Sequence, residues 1–277
     1  MKWKRSARLV DMTYQLIQRP HSLIPLGEFA QTYQAAKSSI SEDLAIIQET
    51  FRTEGMGELQ TVAGATGGVR FIPRMKREQA EKWIQSMCQR LADPERLLPG
   101  GYLYLSDFLG DPTALSQLGW IWATVFADRQ ADVVVTVETK GIPLAHAVAS
   151  NLGIPVVVVR KGHRVTEGSV VTINTISGSR KDIRTLSLSR RSLAEGARVI
   201  VIDDFMKAGG TFRGLIDLMK EFRAEVVGTG VMVESEVEGR LVSGIASLMK
   251  ITTIDEQAGD VEVATGTILD DEGGWME

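Results

Sequence analysis

The residues from Val199 to Thr211 combine groups that are suited to binding a sugar phosphate. Four aliphatic residues precede two acids, and a Gly-Gly-Thr run closes the segment before a helical pattern begins. Glycines let the backbone approach a phosphate closely, and amides at a helix start add positive potential. The acids suit ribose hydroxyls or Mg²⁺, because they would otherwise repel the phosphate. The predicted cradle is Asp203, Asp204, Phe205, Met206, Lys207, Ala208, Gly209, Gly210 and Thr211. An ordinary strand-to-helix turn is the alternative.

Buried strands alternate with helical patterns through the second half of the chain. Apolar runs typical of parallel strands covered on both faces occur at 133–137, 154–159, 199–202, 226–233 and 248–254. Helical spacing over about 142–151 and 211–223 lies between them. This alternation predicts a doubly wound α/β sheet that binds ligands beyond the carboxyl ends of its strands. The polar stretch 160–195 is too long for a plain connection and predicts a lid or a functional hairpin.

The first 74 residues follow a different pattern. Apolar spacing predicts one helix that ends before Arg19-Pro20, a second after Pro25 and a third over about 40–51. Ser39 and Glu42 fit a capping box at the start of the third helix. Two apolar runs around a glycine-rich turn then predict a β-hairpin. We therefore predict a winged helix-turn-helix domain over residues 1–74 and an α/β domain over 75–277. The latter begins with a charged helix, a short strand at 102–105 and an apolar helix at 120–126.

The small domain suits double-stranded DNA. The third helix would enter the major groove with its first residues, while the basic N-terminal arm and the wing would contact the backbone. The predicted contacts are Lys2, Lys4, Arg5, Arg8, Lys37, Ser38, Ser39, Ser41 and Arg70. Each of these residues alone also fits a helix cap or a solvated surface. The arrangement as a whole favours DNA, because a unit of this kind has few other common uses.

Composition limits the remaining possibilities. Residues 1–74 have nine Lys or Arg against seven Asp or Glu, whereas the whole chain has a formal net charge of −4. The single cysteine excludes an internal disulfide and fits a reducing, cytoplasmic location. The start of the chain lacks the apolar run of a signal peptide, and no stretch is long enough for a membrane span. The histidines show no metal-ligand spacing, so we predict no certain metal site.

The run over 199–211 resembles the phosphoribosyl pyrophosphate (PRPP) motif of type I phosphoribosyltransferases. Residues 137–145, with Thr139, Lys140 and Gly141 at their centre, are similar to the pyrophosphate loop of the adenine and xanthine branch. Arg160-Lys161-Gly162-His163 resembles the start of that branch's flexible loop. The resemblance implies a type I phosphoribosyltransferase fold, a central and mostly parallel sheet flanked by helices. It also implies PRPP bound by the cradle and by this second loop.

The combination of a winged helix with this motif resembles the purine operon repressors of Gram-positive bacteria over essentially the whole chain. The resemblance implies a homodimer that represses purine synthesis and transport genes at operator DNA and is induced by PRPP. It also implies competition for the site by a guanosine polyphosphate (ppGpp), whose base Tyr102 and Phe205 could stack on.

Two positions depart from the enzymes of the family. Lys207 and Ala208 stand where these have a small residue and a Thr or Ser, so a hydroxyl near the 5′-phosphate is missing. The flexible loop also lacks an evident acid or tyrosine for the chemical step. We therefore predict a sensor with no catalytic residues. An active purine phosphoribosyltransferase with an accessory DNA-binding domain, and an RNA-binding attenuator, are the alternatives.

Overall fold

A small N-terminal domain and a larger α/β domain make up the chain. The computed structural model describes residues 3–64, 67–100, 102–162, 168–176, 183–270 and 273–276. Lys2, the wing residues 65–66 and His163 therefore lie outside the described part, as do residues 177–182. Within that part, no helix is both long and apolar enough to cross a bilayer.

The N-terminal domain is a winged helix-turn-helix. Its elements run in the order α1 (Arg5–Gln18), β1 (Ile24–Pro25), α2 (Leu26–Tyr33), α3 (Lys37–Glu54), β2 (Gly57–Val62) and β3 (Gly68–Pro73). Strands β2 and β3 form the predicted antiparallel hairpin, and β1 pairs with the outer edge of β3. One apolar cluster, which includes Leu16, Phe29 and Phe51, holds the three helices against this sheet. The predicted helices and hairpin are all present, and β1 is an addition.

The predicted capping box at the third helix is wrong. Helix α3 begins at Lys37 with Ala36 at its N-cap, and no side chain bonds to its first amides. Ser39 therefore lies in the first helical turn and cannot cap it. Extended backbone at Ala36 already allows the helix to start, so α3 begins three residues earlier than a Ser39 cap would place it.

The α/β domain follows without a flexible linker. Its elements are α4 (Arg77–Leu91), β4 (Leu97–Leu98), β5 (Tyr102–Leu103), α5 (Ser106–Gly110), α6 (Pro112–Phe126), β6 (Val133–Val137), α7 (Gly141–Leu152), β7 (Val156–Lys161), β8 (Val170–Ile176), β9 (Ile183–Ser189), β10 (Arg198–Met206), α8 (Gly210–Glu221), β11 (Glu225–Ser235), β12 (Ala246–Asp255) and β13 (Asp260–Thr265). The predicted strand at 102–105 is shorter, and α6 begins earlier than predicted, where Asp111 caps the amide of Thr113.

The central sheet has the strand order β13-β12-β11-β10-β6-β7-β9-β8 in the described chain. The five strands from β12 to β7 are parallel, as predicted, and β13 adds an antiparallel edge. Strands β8 and β9 form an antiparallel hairpin that joins the sheet at β7, so the long 160–195 segment includes the predicted hairpin. Apolar clusters cover both faces, one with α6 and α7 and the other with α8.

Several ion pairs and hydrogen bonds join the two domains at their junction. The guanidinium of Arg74 contacts Glu58 in one domain and Asp128 in the other, at 3.1 and 2.7 Å. The Met75 amide donates to Thr124 Oγ1 at 2.9 Å. Lys76 Nζ and Gln79 Nε2 donate to carbonyls at the end of α3. These bonds tie α4 to the N-terminal domain, so the two domains contact one another directly near the predicted boundary at 74–75.

Candidate functional site

A cleft of about 530 Å³ lies at the carboxyl edge of the parallel strands. The entire predicted cradle lines it, from Asp203 to Thr211, together with Thr139 and Lys140. Strand β10 is longer than predicted, because its pairing with β11 continues to Met206 opposite Glu234. The two acids therefore belong to the strand, and only 207–209 form the loop before α8.

The loop from Lys207 to Gly209 presents its backbone to the cleft. Gly209 adopts a left-handed conformation at φ +84° as the N-cap of α8, and no side chain bonds to the first amides of this helix. A Cβ at Gly209 would collide with the side chain of Val242. The position therefore requires glycine for two reasons, the left-handed conformation and the lack of room for a Cβ. The unpaired first amides and the helix dipole favour an anion at this point.

The two acids of the site differ in their environment. Asp203 is 5% exposed, and its Oδ1 accepts a hydrogen bond from the Asp204 amide at 2.9 Å. Burial and, next, repulsion from Asp204 raise the pKa of Asp203 well above its usual range. Asp204 is partly exposed to the cleft. A protonated Asp203 repels a bound phosphate less and can donate a hydrogen bond, while Asp204 remains available to hydroxyl groups.

The second predicted loop lies across the cleft, between β6 and α7. Thr139 and Lys140 are exposed at its edge. Gly141 does not line the cleft but packs beneath it, where an added Cβ would lie 2.5 Å from Asp203 Oδ1. Gly141 therefore brings the start of α7 against the buried acid, and its contact with PRPP stays a prediction. Glu138 accepts a hydrogen bond from the Lys161 amide at 2.6 Å, which fixes the loop to β7.

Sequence reasoning missed two cations of the cleft. Lys161 ends β7 and Arg184 lies on β9, and both line the cavity with Lys140 and Lys207. The rule that ligands bind at the carboxyl ends of strands could have identified Lys161. Arg184 had no such signal, because its place depends on the hairpin folding back beside β7. These four cations line the cleft together with Glu138, Asp203 and Asp204, and they are the groups suited to pair with a polyphosphate.

A smaller cavity of about 220 Å³ adjoins the cleft and has a more apolar lining. Its lining includes Tyr102, Leu103, Leu105 and Phe205. Tyr102 is 50% exposed and also lines the main cleft. The two predicted stacking residues thus lie around one space of the size and character that suit a planar base. In the part of the chain that the structure describes, no group of three or more His, Cys, Asp or Glu could hold a metal ion.

The first turn of α3 forms an exposed polar surface on the other domain. Lys37, Ser38 and Ser41 are exposed and Ser39 is half-buried. Ser41 Oγ donates to the Lys37 carbonyl at 3.0 Å, so its hydroxyl is engaged along the helix. Lys37 and Ser38 are therefore the members of this set that are best placed to contact DNA.

The basic residues predicted to contact DNA differ in their exposure and in their ion pairs. Lys4 is exposed, and Arg5 is half-exposed while its Nε bonds to Asp43 at 2.8 Å. The Arg8 side chain is only 12% exposed and pairs with the same buried carboxylate at 2.7 Å. Arg70 is partly buried, with its Nε enclosed. Arg8 is therefore engaged in an ion pair within the domain, and the phosphate contacts predicted for Arg8 and Arg70 stay predictions.

Family models match both domains of the chain. The model described as "Bacterial purine repressor, N-terminal" matches residues 4–73, and the "Phosphoribosyl transferase domain" model matches residues 117–265. The purine biosynthesis transcriptional repressor PurR of Bacillus subtilis (strain 168) is 55% identical over 270 residues, which is 97% of this chain and 95% of the relative.

A second relative and a solved structure extend these matches. The purine biosynthesis transcriptional activator PurR of Lactococcus lactis subsp. lactis (strain IL1403) is 42% identical over 269 residues, covering 97% of this chain and 99% of its own. Adenine phosphoribosyltransferase from Thermoanaerobacter pseudethanolicus shares 20% identity with a TM-score of 0.52. The match covers 60% of this chain and 98% of that enzyme, and it shows the fold alone.

Proposed function

This chain belongs to the bacterial purine repressor (PurR) family, and from that premise we propose that it represses purine synthesis and transport genes as a cytoplasmic homodimer on operator DNA. PRPP is the inducer and binds the C-terminal cleft. The observation that carries this proposal is a cleft lined by four cations and by the loop before α8, in the same chain as a winged-helix domain. An effector that weakens DNA binding must bind the DNA-competent state less well, and the effect is reciprocal.

The proposed DNA contacts follow from exposure. Lys37 and Ser38 at the start of α3 contact phosphates and base edges along the major groove, and Ser39 and Ser41 support them. Lys4 and the half-exposed guanidinium of Arg5, which also pairs with Asp43 and Glu42, contact the phosphate backbone, and Lys2 stays a predicted contact. Lysine and arginine contacts to phosphates contribute affinity that falls with salt and carries no sequence information.

The proposed PRPP contacts divide between two loops. Amides of 208–211 and the start of α8 hold the 5′-phosphate, and Asp203 and Asp204 bind the ribose hydroxyls. Thr139 and Lys140, with Lys161 and Arg184, hold the pyrophosphate. Where Mg²⁺ accompanies the ligand, Asp203 and Asp204 are the acids that would hold it, since hard cations prefer oxygen ligands.

We further propose that the cleft binds PRPP without turning it over. Ala208 offers no hydroxyl to the phosphate, while the exposed Lys207 adds a cation that favours polyphosphates. The same cation and the apolar space between Tyr102 and Phe205 suit ppGpp, which competes with PRPP and favours repression.

A gel-shift titration with purine-operator DNA tests the proposal directly. We expect tight binding by the free protein and release of the DNA as PRPP is added, with ppGpp opposing the release. Operator binding that does not respond to PRPP would contradict the effector assignment. Analytical ultracentrifugation of the free protein tests the homodimer.

An active phosphoribosyltransferase is the second candidate, because the cleft keeps both acids and the loop over 207–209, which we call the phosphate loop. Incubation with PRPP and each purine base, with a pyrophosphate assay, distinguishes the two candidates. We expect no release above background, and robust turnover would favour the enzyme.

The direction of regulation is tested in cells, since one relative is named an activator. Loss of this gene should raise expression from a purine promoter if the protein represses it, and should lower expression if it activates.

A further inference from the structure

Three residues between β11 and β12 press on the outer side of the phosphate loop. We call Arg240–Val242 the clasp. The Leu241 amide donates a hydrogen bond to the Ala208 carbonyl at 2.9 Å. The side chain of Val242 fills the space where Gly209 lacks a Cβ. The loop is therefore held between the cleft on one side and the clasp on the other.

A buried carboxylate anchors the clasp. Glu234 is 2% exposed, and its Oε2 lies 2.8 Å from Nη1 of Arg240. The other oxygen of Glu234 accepts a hydrogen bond from Ser247 Oγ at 2.8 Å. Arg240 Nε in turn donates a hydrogen bond to the Val242 carbonyl at 3.0 Å. This bond folds the backbone of the clasp back toward the guanidinium of Arg240. A buried carboxylate would not be stable here without such partners.

The anchor is adjacent to the loop in the sheet. Glu234 on β11 is the register partner of Met206, the last residue of β10 before the phosphate loop. The ion pair thus ties the clasp to the same sheet edge from which the loop emerges. No part of Glu234 or Arg240 lines the cleft itself.

The clasp determines which way a loop amide faces. In a trans peptide the N–H points away from the C=O. Because the Ala208 carbonyl points to Leu241, the N–H of Gly209 points away from the clasp and toward the cleft that Gly209 lines. Backbone donors fixed in this way bind an anion without first being reoriented.

We propose that Arg240 is a positioning residue for phosphate binding: anchored on Glu234, it holds the clasp against the phosphate loop and thereby presents the loop amides to a ribose-linked phosphate. This role rests on the proposed function of the cleft as a PRPP site. It extends the site to a residue that contacts no ligand.

Calorimetric titration of PRPP into the full-length protein tests the proposal. We expect Arg240→Met to weaken PRPP binding about tenfold, the loss of roughly one well-placed charged hydrogen bond. Arg240→Lys keeps the ion pair and should recover most of the affinity. Operator affinity without PRPP should be unchanged in both variants.

A double variant separates positioning from stability. Arg240→Met alone leaves Glu234 buried and unpaired, so it should also lower the melting temperature. Glu234→Gln combined with Arg240→Met removes the charge and should restore the melting temperature while PRPP binding stays weak. Recovery of affinity together with stability would overturn the positioning role.

Arg198→Met is the matched control. Arg198 lies at the opposite end of β10, is 39% exposed against 38% for Arg240, and also pairs with a glutamate. We expect this variant to bind PRPP with the affinity of the parent. An equal loss of affinity in Arg198→Met would overturn the proposal.

Hydrogen exchange on the free protein tests the clasp without PRPP, so its outcome does not depend on the proposed function. Arg240→Met should speed exchange at the Leu241 amide and across 206–212. Unchanged exchange overturns the clasp, whereas a parent protein that gives no heat with PRPP contradicts the proposed function instead.

Discussion

At the scale of single residues, two adjacent carboxylates with different surroundings define the cleft. Burial raises the pKa of Asp203, while Asp204 faces the cavity and is partly exposed. The difference lets a pair of acids lie beside a phosphate, because one of them can be neutral. Asp204 is then the residue that hydroxyl groups of a ligand reach first.

Asp204→Ala should leave operator binding intact and remove the response to PRPP, because the ribose loses its acceptor. Gel shifts with and without PRPP measure both properties. Asp217→Ala is the control, since Asp217 lies on α8 outside the cleft and pairs with Lys220. An unchanged PRPP response in Asp204→Ala would count against the assigned site.

At the scale of elements, each domain exposes the start of a helix. Helix α8 begins after the 207–209 loop with amides that no side chain caps, and α3 begins with exposed Lys37 and Ser38. In the proposed function, α8 offers its own backbone to a phosphate, whereas α3 offers side chains to a DNA groove. Packing behind each helix keeps these ends in place.

Lys37→Ala should weaken operator binding and reduce the dependence of log K on log salt concentration by about 0.9, the value for one lost phosphate contact. Fluorescence anisotropy over a series of salt concentrations measures this slope. Lys82→Ala on α4 is the control, because Lys82 is also exposed but lies in the other domain. Equal slopes for Lys37→Ala and the parent would remove Lys37 from the contacts.

The packing of α6 on the sheet depends on Gly230. A Cβ at this position would lie 2.6 Å from the ring of Trp122, which is fully buried. Gly230→Ala should therefore destabilise the protein by about 1–3 kcal/mol through overpacking. Urea denaturation measures this loss.

Gly27→Ala is the matched control for this packing effect. Gly27 lies in α2 with open space around it. Its replacement should be neutral or stabilising, because alanine favours a helix. An equal loss in both variants would show that packing on Trp122 is not the cause.

At the scale of the whole molecule, one helix reaches from the cleft to the other domain. Helix α7 starts at Gly141 against Asp203, and Gly153 at its end packs on the Pro20 carbonyl, 2.5 Å from where a Cβ would lie. His21 follows in this junction, with its Nε2 enclosed and without a hydrogen-bond partner in the described chain. The junction is therefore tightly packed and contains a partly buried titratable group, the His21 imidazole.

Acidification should weaken the junction through His21. Burial, and then the charges of Arg74 and Arg70, lower the pKa of His21 below 6.5, against an opposing effect of Asp128. Because the folded pKa lies below the unfolded value, the stabilisation is complete above about pH 6.5 and declines as the pH falls toward the folded pKa.

His21→Gln should therefore lose less thermal stability between about pH 7.5 and pH 5.5 than the parent does. Melting curves over this range measure the difference, and comparing variant with parent cancels the effect of Asp203, which titrates in both. Parallel pH profiles would exclude His21 as the cause.

Local patterns predicted the winged helix, the parallel strands and the whole phosphate loop, because alternation and glycine spacing act over a few residues. The same patterns failed where the backbone or a paired strand determines where an element begins or ends. The α3 start followed the backbone at Ala36 instead of the Ser39 signal, and β10 continued to Met206 because β11 pairs with it. The ion pair of Arg8 with Asp43 of another helix likewise had no local signal in the sequence.

The sequence by itself determined the two domain types and the residues of the phosphate loop, since each depends on short-range periodicity and on glycines in a fixed order. Only the tertiary structure decided that Arg184 joins the cleft, that Arg240 and Glu234 hold the loop from behind, and that α7 connects the cleft with the junction. These features bring together residues far apart in the chain. Their positions follow from strand order and packing, which no local pattern contains.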